Sequence, residues 1–214
     1  MSKRNIFIGD IHGCYDEFKL LIDKLKIKDS DSVFLVWDMI NKWPKSWKVI
    51  KFLYENRDQY KAVLWNHELA FFQRISNKDK KYKSEIFCEL EKKFNKNPEI
   101  FQYFKDLPLY IKSEKFIVIH WWLNPNKKLE EHSESEITWI REINSKPWFT
   151  LYNDKLKVIY GHWAMNGLNI HKNTIWLDWG CVYWRALHAY ILESGEIATQ
   201  QALKLYKDVF IKED

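Results

Sequence analysis

The chain has 214 residues, of which 46% are hydrophobic and 29% charged, enough to bury one substantial core without staples and ordinary for a water-soluble domain. Its net charge of +5 comes from lysines scattered between apolar residues, so a solvated basic surface that favours anionic substrates is expected and a nucleic-acid face is not. The three cysteines, Cys14, Cys88 and Cys181, are widely spaced and form no CxxC pair, which argues against a disulfide framework or zinc knuckle and for a reduced, cytoplasmic setting.

The apolar run after the first residues is too short for a signal segment or a membrane span, so no membrane partner is expected. Asn5–Ile8 reads as a buried strand. Tyr15–Leu25 reads as an amphipathic helix with Phe18, Leu21, Ile22 and Leu25 on one face. Val33–Val36 and Ala62–Leu64 repeat the strand signal around a helix at about Ser46–Tyr54. This alternation predicts right-handed crossovers and a partly parallel sheet. Residues 67–105 read as charged and helical, a side lobe on the single domain expected to span residues 1–214. Leu109–Ile111 and Phe116–Ile119 read as a strand pair turning at Lys112–Lys115, followed by a helix over Glu134–Ile143. Apolar runs at Val158–Tyr160, Leu168–Ile170, Thr174–Leu177, Ala189–Leu192 and Ile197–Thr199 are closely spaced and predict hairpins in a second sheet. The expected fold class is α/β, a two-sheet mixed β-sandwich flanked by helices.

Side chains that ligate metals fall at the ends of these strands. Asp10 and His12 follow the first strand two residues apart, and Asp38 follows the second. Asn66 and His67 follow the third, His120 ends Phe116–Ile119, and His162 follows Val158–Tyr160. Strand ends are where open α/β sheets place their sites. A mixture of carboxylate, imidazole and amide oxygen suits manganese, iron or zinc better than magnesium or calcium. Two such ions sharing a carboxylate can clamp a phosphate and activate water.

The motifs make the pattern specific. Gly9-Asp10-Ile11-His12-Gly13 matches GDxHG, Asp38-Met39-Ile40-Asn41-Lys42-x-Pro44 resembles GDxxDRGP, and Asn66-His67-Glu68 resembles GNHE. His120-x-x-Leu123-Asn124-Pro125 resembles HAGLxP, Gly161-His162 the later GH, and Leu177-Asp178-x-Gly180-Cys181 the LDTGC of bacterial members. From Arg4 to about Leu192 the chain resembles the phosphoprotein-phosphatase-type, calcineurin-like metallophosphoesterases, in their bacterial serine/threonine phosphatase or diadenosine-tetraphosphatase branch. The resemblance implies the roles. Asp10 and His12 hold one metal, Asp38 bridges, and Asn66, His120 and His162 complete the second, most often manganese with iron or zinc as alternatives. A metal-bridging hydroxide attacks phosphorus, His67 is the general acid, and Arg141 grips phosphate oxygens. The implied substrates are phosphomonoesters of protein or small molecules, with dinucleoside tetraphosphates as the alternative.

The chain departs from the family at several motif positions. Asn41 replaces the Asp that orients the catalytic histidine, and Lys42 replaces a phosphate-binding Arg, keeping the charge but losing the fork. There are 12 Trp and only 6 Gly, where average usage gives roughly 15 Gly. Eight of the tryptophans abut the motifs: Trp37, Trp43, Trp65, Trp121, Trp122, Trp163, Trp179 and Trp184. The family has Gly at Trp37, Trp43, Trp65, Trp122 and Trp184, Ala at Trp121 and Thr at Trp179. The pattern raises the expectation of an engineered or degenerate variant whose cleft is filled by indoles, with indoles that turn outward to line a substrate groove as the alternative. Whether Cys14, beside the first motif, is more than a small packed residue stays open.

Overall fold

The structure is a computed structural model that describes residues 3–36, 39–40, 45–64, 66–77, 85–120, 122–139, 142–143, 146–161 and 167–206. Its first sheet contains β1 (Asn5–Ile8), β2 (Ser32–Leu35), β3 (Tyr60–Ala62), β11 (Ala186–Ile191) and β12 (Ile197–Gln201), in the order β12-β11-β1-β2-β3. The β1–β2 and β2–β3 pairs are parallel. Their crossovers are α1 (Tyr15–Leu25) and α2 (Ser46–Glu55), as the alternating pattern predicts. The second sheet contains β4 (Tyr110–Lys112), β5 (Phe116–Ile119), β8 (Lys157–Tyr160), β9 (Asn169–Ile170) and β10 (Thr174–Trp176), in the order β4-β5-β8-β10-β9.

One expectation is overturned here. The last two strands do not extend the second sheet: β11 pairs antiparallel with β1, Ile8 opposite Ala189, and β12 pairs with β11. Close spacing does predict the β11–β12 hairpin, but only tertiary packing decides which sheet a hairpin joins. A second difference is local. Of the helix expected over Glu134–Ile143, Glu134–Trp139 is helical as α6, whereas Glu142–Ile143 is β6, paired with β7 (Lys146–Pro147).

Alternation along β1 and β2 builds two cores from one sheet. Ile6, Ile8, Val33 and Leu35 face the helices, meeting Phe18 and Leu21 of α1 and Val49, Ile50 and Leu53 of α2. Phe7 and Phe34 face the other way, stack at 5.2 Å, and meet Phe116, Ile117, Val158, Tyr160 and Ile175 of the second sheet. The described residues of 66–105 form three helices, α3 (Asn66–Asn77), α4 (Glu85–Asn95) and α5 (Pro98–Lys105), with a turn at Lys96 and Asn97. Phe71, Phe87, Phe94 and Phe104 carry these helices onto the same cluster as α1 and α2. None of the described helices is long and apolar enough to cross a membrane.

Candidate active site

The two sheets touch at Gly9. Its N–H donates to the His188 carbonyl at 2.9 Å. A Cβ built there would lie 2.7 Å from the Leu177 carbonyl oxygen. The chain then leaves β1 through two left-handed residues, His12 at φ 44 and Gly13 at φ 75, and Cys14 N–H donates back to the Ile11 carbonyl at 2.7 Å. Positive φ is uncommon for a residue with a Cβ and marks a constrained turn. The turn buries Asp10 and His12 at 3% and 2% exposure, with Asp10 Oδ2 3.5 Å from His12 Nε2.

α3 starts at Asn66, so Asn66, His67 and Glu68 occupy its first turn. The His67 ring lies 6.1 Å from the His12 ring, nearly perpendicular to it, which brings the third motif beside the first. Glu68 is fully buried, and its Oε1 accepts the backbone N–H groups of Met39 and Ile40 at 3.2 and 3.3 Å. It therefore ties the segment after β2 to the start of α3. Burial pushes the Glu68 carboxyl up to about 8, while the backbone N–H groups of Glu68, Ile40 and Met39 pull the other way.

His120 is fully buried at the end of β5. Its carbonyl accepts the Gly161 N–H at 3.1 Å, so the ends of β5 and β8 run together. Leu177 N–H donates to Tyr160 at 3.1 Å, and Asp178 Oδ1 accepts Gly180 N–H at 2.8 Å in a turn that sets Gly180 at φ 71. Asp10, His12, Asn66, His67 and His120 thus all follow strand ends, as expected. Asp38, Asn41, Lys42, Arg141 and His162 lie outside the described residues.

The donor chemistry suits divalent cations. Asn66 is 8% exposed, and its Oδ1 has no hydrogen-bond partner among the described residues. A buried acceptor left in this way is costly unless a donor or a cation meets it. Carboxylate, imidazole and amide oxygen together are a transition-metal set.

Two residues to which no role attaches in the sequence are structurally active. Glu68 is visible there as the last letter of the third motif, but nothing in spacing shows that it holds the neighbouring loop. His188 carries no signal at all. It is 4% exposed, its Nδ1 contacts Thr199 Oγ1 at 2.9 Å, and its ring lies 5.1 Å from Trp179. Burial pushes its pKa down to about 4.

The tryptophans separate into different environments. Trp122 is 4% exposed in the core between the sheets, edge-on to His132; it fills core and not cleft, against expectation. Trp184 is 65% exposed and sits at φ 61. Trp179, 39% exposed, lies over His188 and within 3.8 Å of where a Gly167 Cβ would stand. Trp37, Trp43, Trp65, Trp121 and Trp163 lie outside the described residues.

Residues 4–180 match the calcineurin-like phosphoesterase family, and the chain belongs to it. Among curated relatives, a symmetrical bis(5'-nucleosyl)-tetraphosphatase of Vibrio campbellii is 26% identical, over 92% of this chain and 98% of its own. That alignment runs over 267 residues against the 214 of this chain, so the relative carries segments this chain lacks. A zinc-dependent endopolyphosphatase of Saccharomyces cerevisiae is 38% identical over a shorter stretch, 37% of this chain and 25% of its own. Among solved structures, a candidate diadenosine tetraphosphatase superposes with a TM-score of 0.77 at 26% identity, covering 94% of each chain. A serine/threonine phosphatase of Saccharomyces cerevisiae shares the fold at a TM-score of 0.58 and 16% identity, over 94% of this chain and 80% of its own.

Proposed function

We propose that this chain is a dinuclear-metal hydrolase of symmetrical dinucleoside tetraphosphates. One observation carries the reading: likeness to the Vibrio tetraphosphatase over nearly the whole of both chains. It supports the dinucleotide substrate over the phosphomonoester that the motifs first suggest. Asp10 and His12 are the proposed holders of one cation, Asp38 of both, and Asn66, His120 and His162 of the other, with manganese first and iron or zinc next. When bound, such ions lower the pKa of water and polarise phosphoryl oxygens. The remaining roles belong to the protein. The turn at His12 and Gly13 presents Asp10 and His12 together, and Glu68 fixes the segment after β2 against α3. His67, beside His12, is the proposed donor of a proton to the leaving phosphate, and Asn41 is the proposed residue that orients it. Lys42 and Arg141 supply positive charge to a polyphosphate. Product analysis tests the reading. Diadenosine tetraphosphate with Mn²⁺ should give ADP as sole nucleotide; release of AMP and ATP would refute symmetrical cleavage, and preference for p-nitrophenyl phosphate would restore the phosphomonoester reading.

A second reading rests on Trp184, whose left-handed backbone is costly for a bulky residue. We infer that this backbone is built for glycine, and that the motif tryptophans stand at glycine positions of the fully active enzyme. Combined replacement of Trp37, Trp65 and Trp184 by Gly should raise metal-dependent turnover at least tenfold. Equal turnover would remove this reading.

A further inference from the structure

We propose that Cys14, Glu17 and Cys181 form a separate cation site, selective for one thiophilic divalent ion such as zinc. Cys14 is the residue before α1, and Glu17 lies three positions on, in its first turn, so the two share a face. Cys181 follows the Gly180 turn. All three residues are 0% exposed, and one donor atom from each lies within 4.8 Å of the other two. Tetrahedral zinc with Zn–S near 2.3 Å and Zn–O near 2.0 Å separates its donors by about 3.5–3.8 Å, so contraction of roughly an ångström closes the set.

The carboxylate is the independent sign. Glu17 Oε1 accepts Leu203 N–H at 2.9 Å and the Tyr206 hydroxyl at 2.5 Å. Oε2 is buried with no hydrogen-bond partner among the described residues. An acidic oxygen left in this way beside two thiols suits a soft cation, with water as the fourth donor. Binding is proton-coupled and redox-neutral: the two thiols release their protons to solvent, and the two thiolates and the carboxylate take up the ion. Cys14 is two residues from His12, and Cys181 three from Asp178. Residues 203–206, a strap after β12, are held here as well, by Tyr206 N–H on the Val182 carbonyl at 3.1 Å. An ion at this point therefore staples the first-motif turn, the Asp178 turn and the strap, without touching the phosphoryl chemistry.

Cobalt distinguishes this site from the catalytic one, because only thiolate ligation gives intense sulfur-to-cobalt charge transfer. Fully reduced, metal-free protein titrated with Co²⁺ should develop that band and saturate it at one ion per chain. Cys14→Ser and Cys181→Ser should each abolish it, and His120→Ala should keep it. Glu17→Gln, which preserves shape and the Oε1 contacts, should weaken cobalt binding at least tenfold. No band in reduced wild-type protein at saturating Co²⁺ would overturn the proposal, whatever the variants do. So would a band that survives both cysteine replacements, or unchanged affinity in Glu17→Gln. The readout is independent of turnover, so an inactive protein with the band would refute the hydrolase reading alone.

Discussion

Gly9→Ala probes the point on which the site geometry depends. The new methyl would stand 2.7 Å from the Leu177 carbonyl oxygen and 3.2 Å from Leu177 C and Cβ, where ordinary contact begins at 3.4 Å. About 0.7 Å of relief is needed along the tightest contact, and neither side is loose. Gly9 is tied to His188 and Leu177 to Tyr160 by backbone hydrogen bonds of 2.9 and 3.1 Å. Overpacking of this kind costs roughly 1–3 kcal/mol, which for a chain of this size lowers Tm by about 2–12 °C. Because Asp10 comes next, the displacement falls on the first motif, and misplacement of about 1 Å costs up to roughly 100-fold in rate. Thermal unfolding and metal-dependent turnover measured side by side should therefore both fall, turnover by 10- to 100-fold. A variant with wild-type Tm and turnover within twofold would refute the claim that close approach of the two sheets sets the site.

Three further outcomes are expected. Trp184→Gly removes roughly 1–2 kcal/mol of left-handed backbone cost, against about 0.5–1 kcal/mol of glycine entropy. With 65% of the side chain already exposed, Tm should hold or rise by a few degrees; a loss above about 1 kcal/mol in urea unfolding would contradict the strain. His188 has a folded pKa near 4 against an ordinary 6.5, so the unfolded chain binds more protons between those values. Stability due to its neutral form is present above pH 6.5 and lost as pH falls toward 4, by up to about 3 kcal/mol. His188→Gln should flatten that stretch of the urea-midpoint profile, and an unchanged slope would show that another group titrates there. Asn66→Ala should cut metal-supported turnover at least tenfold while leaving metal-free stability equal or higher, since it deletes a buried carbonyl with no hydrogen-bond partner among the described residues. A stability loss above 2 kcal/mol without metal would mark Asn66 as structural.

Much of this was legible in the sequence because period and chemistry agree. Tyr15–Leu25 emerges as α1 with the expected bounds, and Asn5–Ile8 as β1, because apolar spacing and the turn residues around them point the same way. The strand-end rule also locates Asp10, His12, Asn66 and His120 without any contact information. What was not legible is long-range. Strand β11 reads as a late hairpin arm, yet its partner is β1 at the other end of the chain. Trp122 reads as a cleft filler beside a motif, yet local backbone direction turns it into the inter-sheet core. His188 and the Cys14–Glu17–Cys181 cluster depend on residues brought together by folding, which no spacing encodes.

The most direct test of the central claim is hydrolysis of diadenosine tetraphosphate by metal-free protein to which Mn²⁺ is added back, with nucleotide products separated. The account predicts no turnover in EDTA, recovery with about two Mn²⁺ per active site, ADP as the product, and loss of recovery in His120→Ala. Recovery that is equal in His120→Ala and wild type, or none in folded wild-type protein and in its Trp37, Trp65 and Trp184 glycine variant alike, would contradict it.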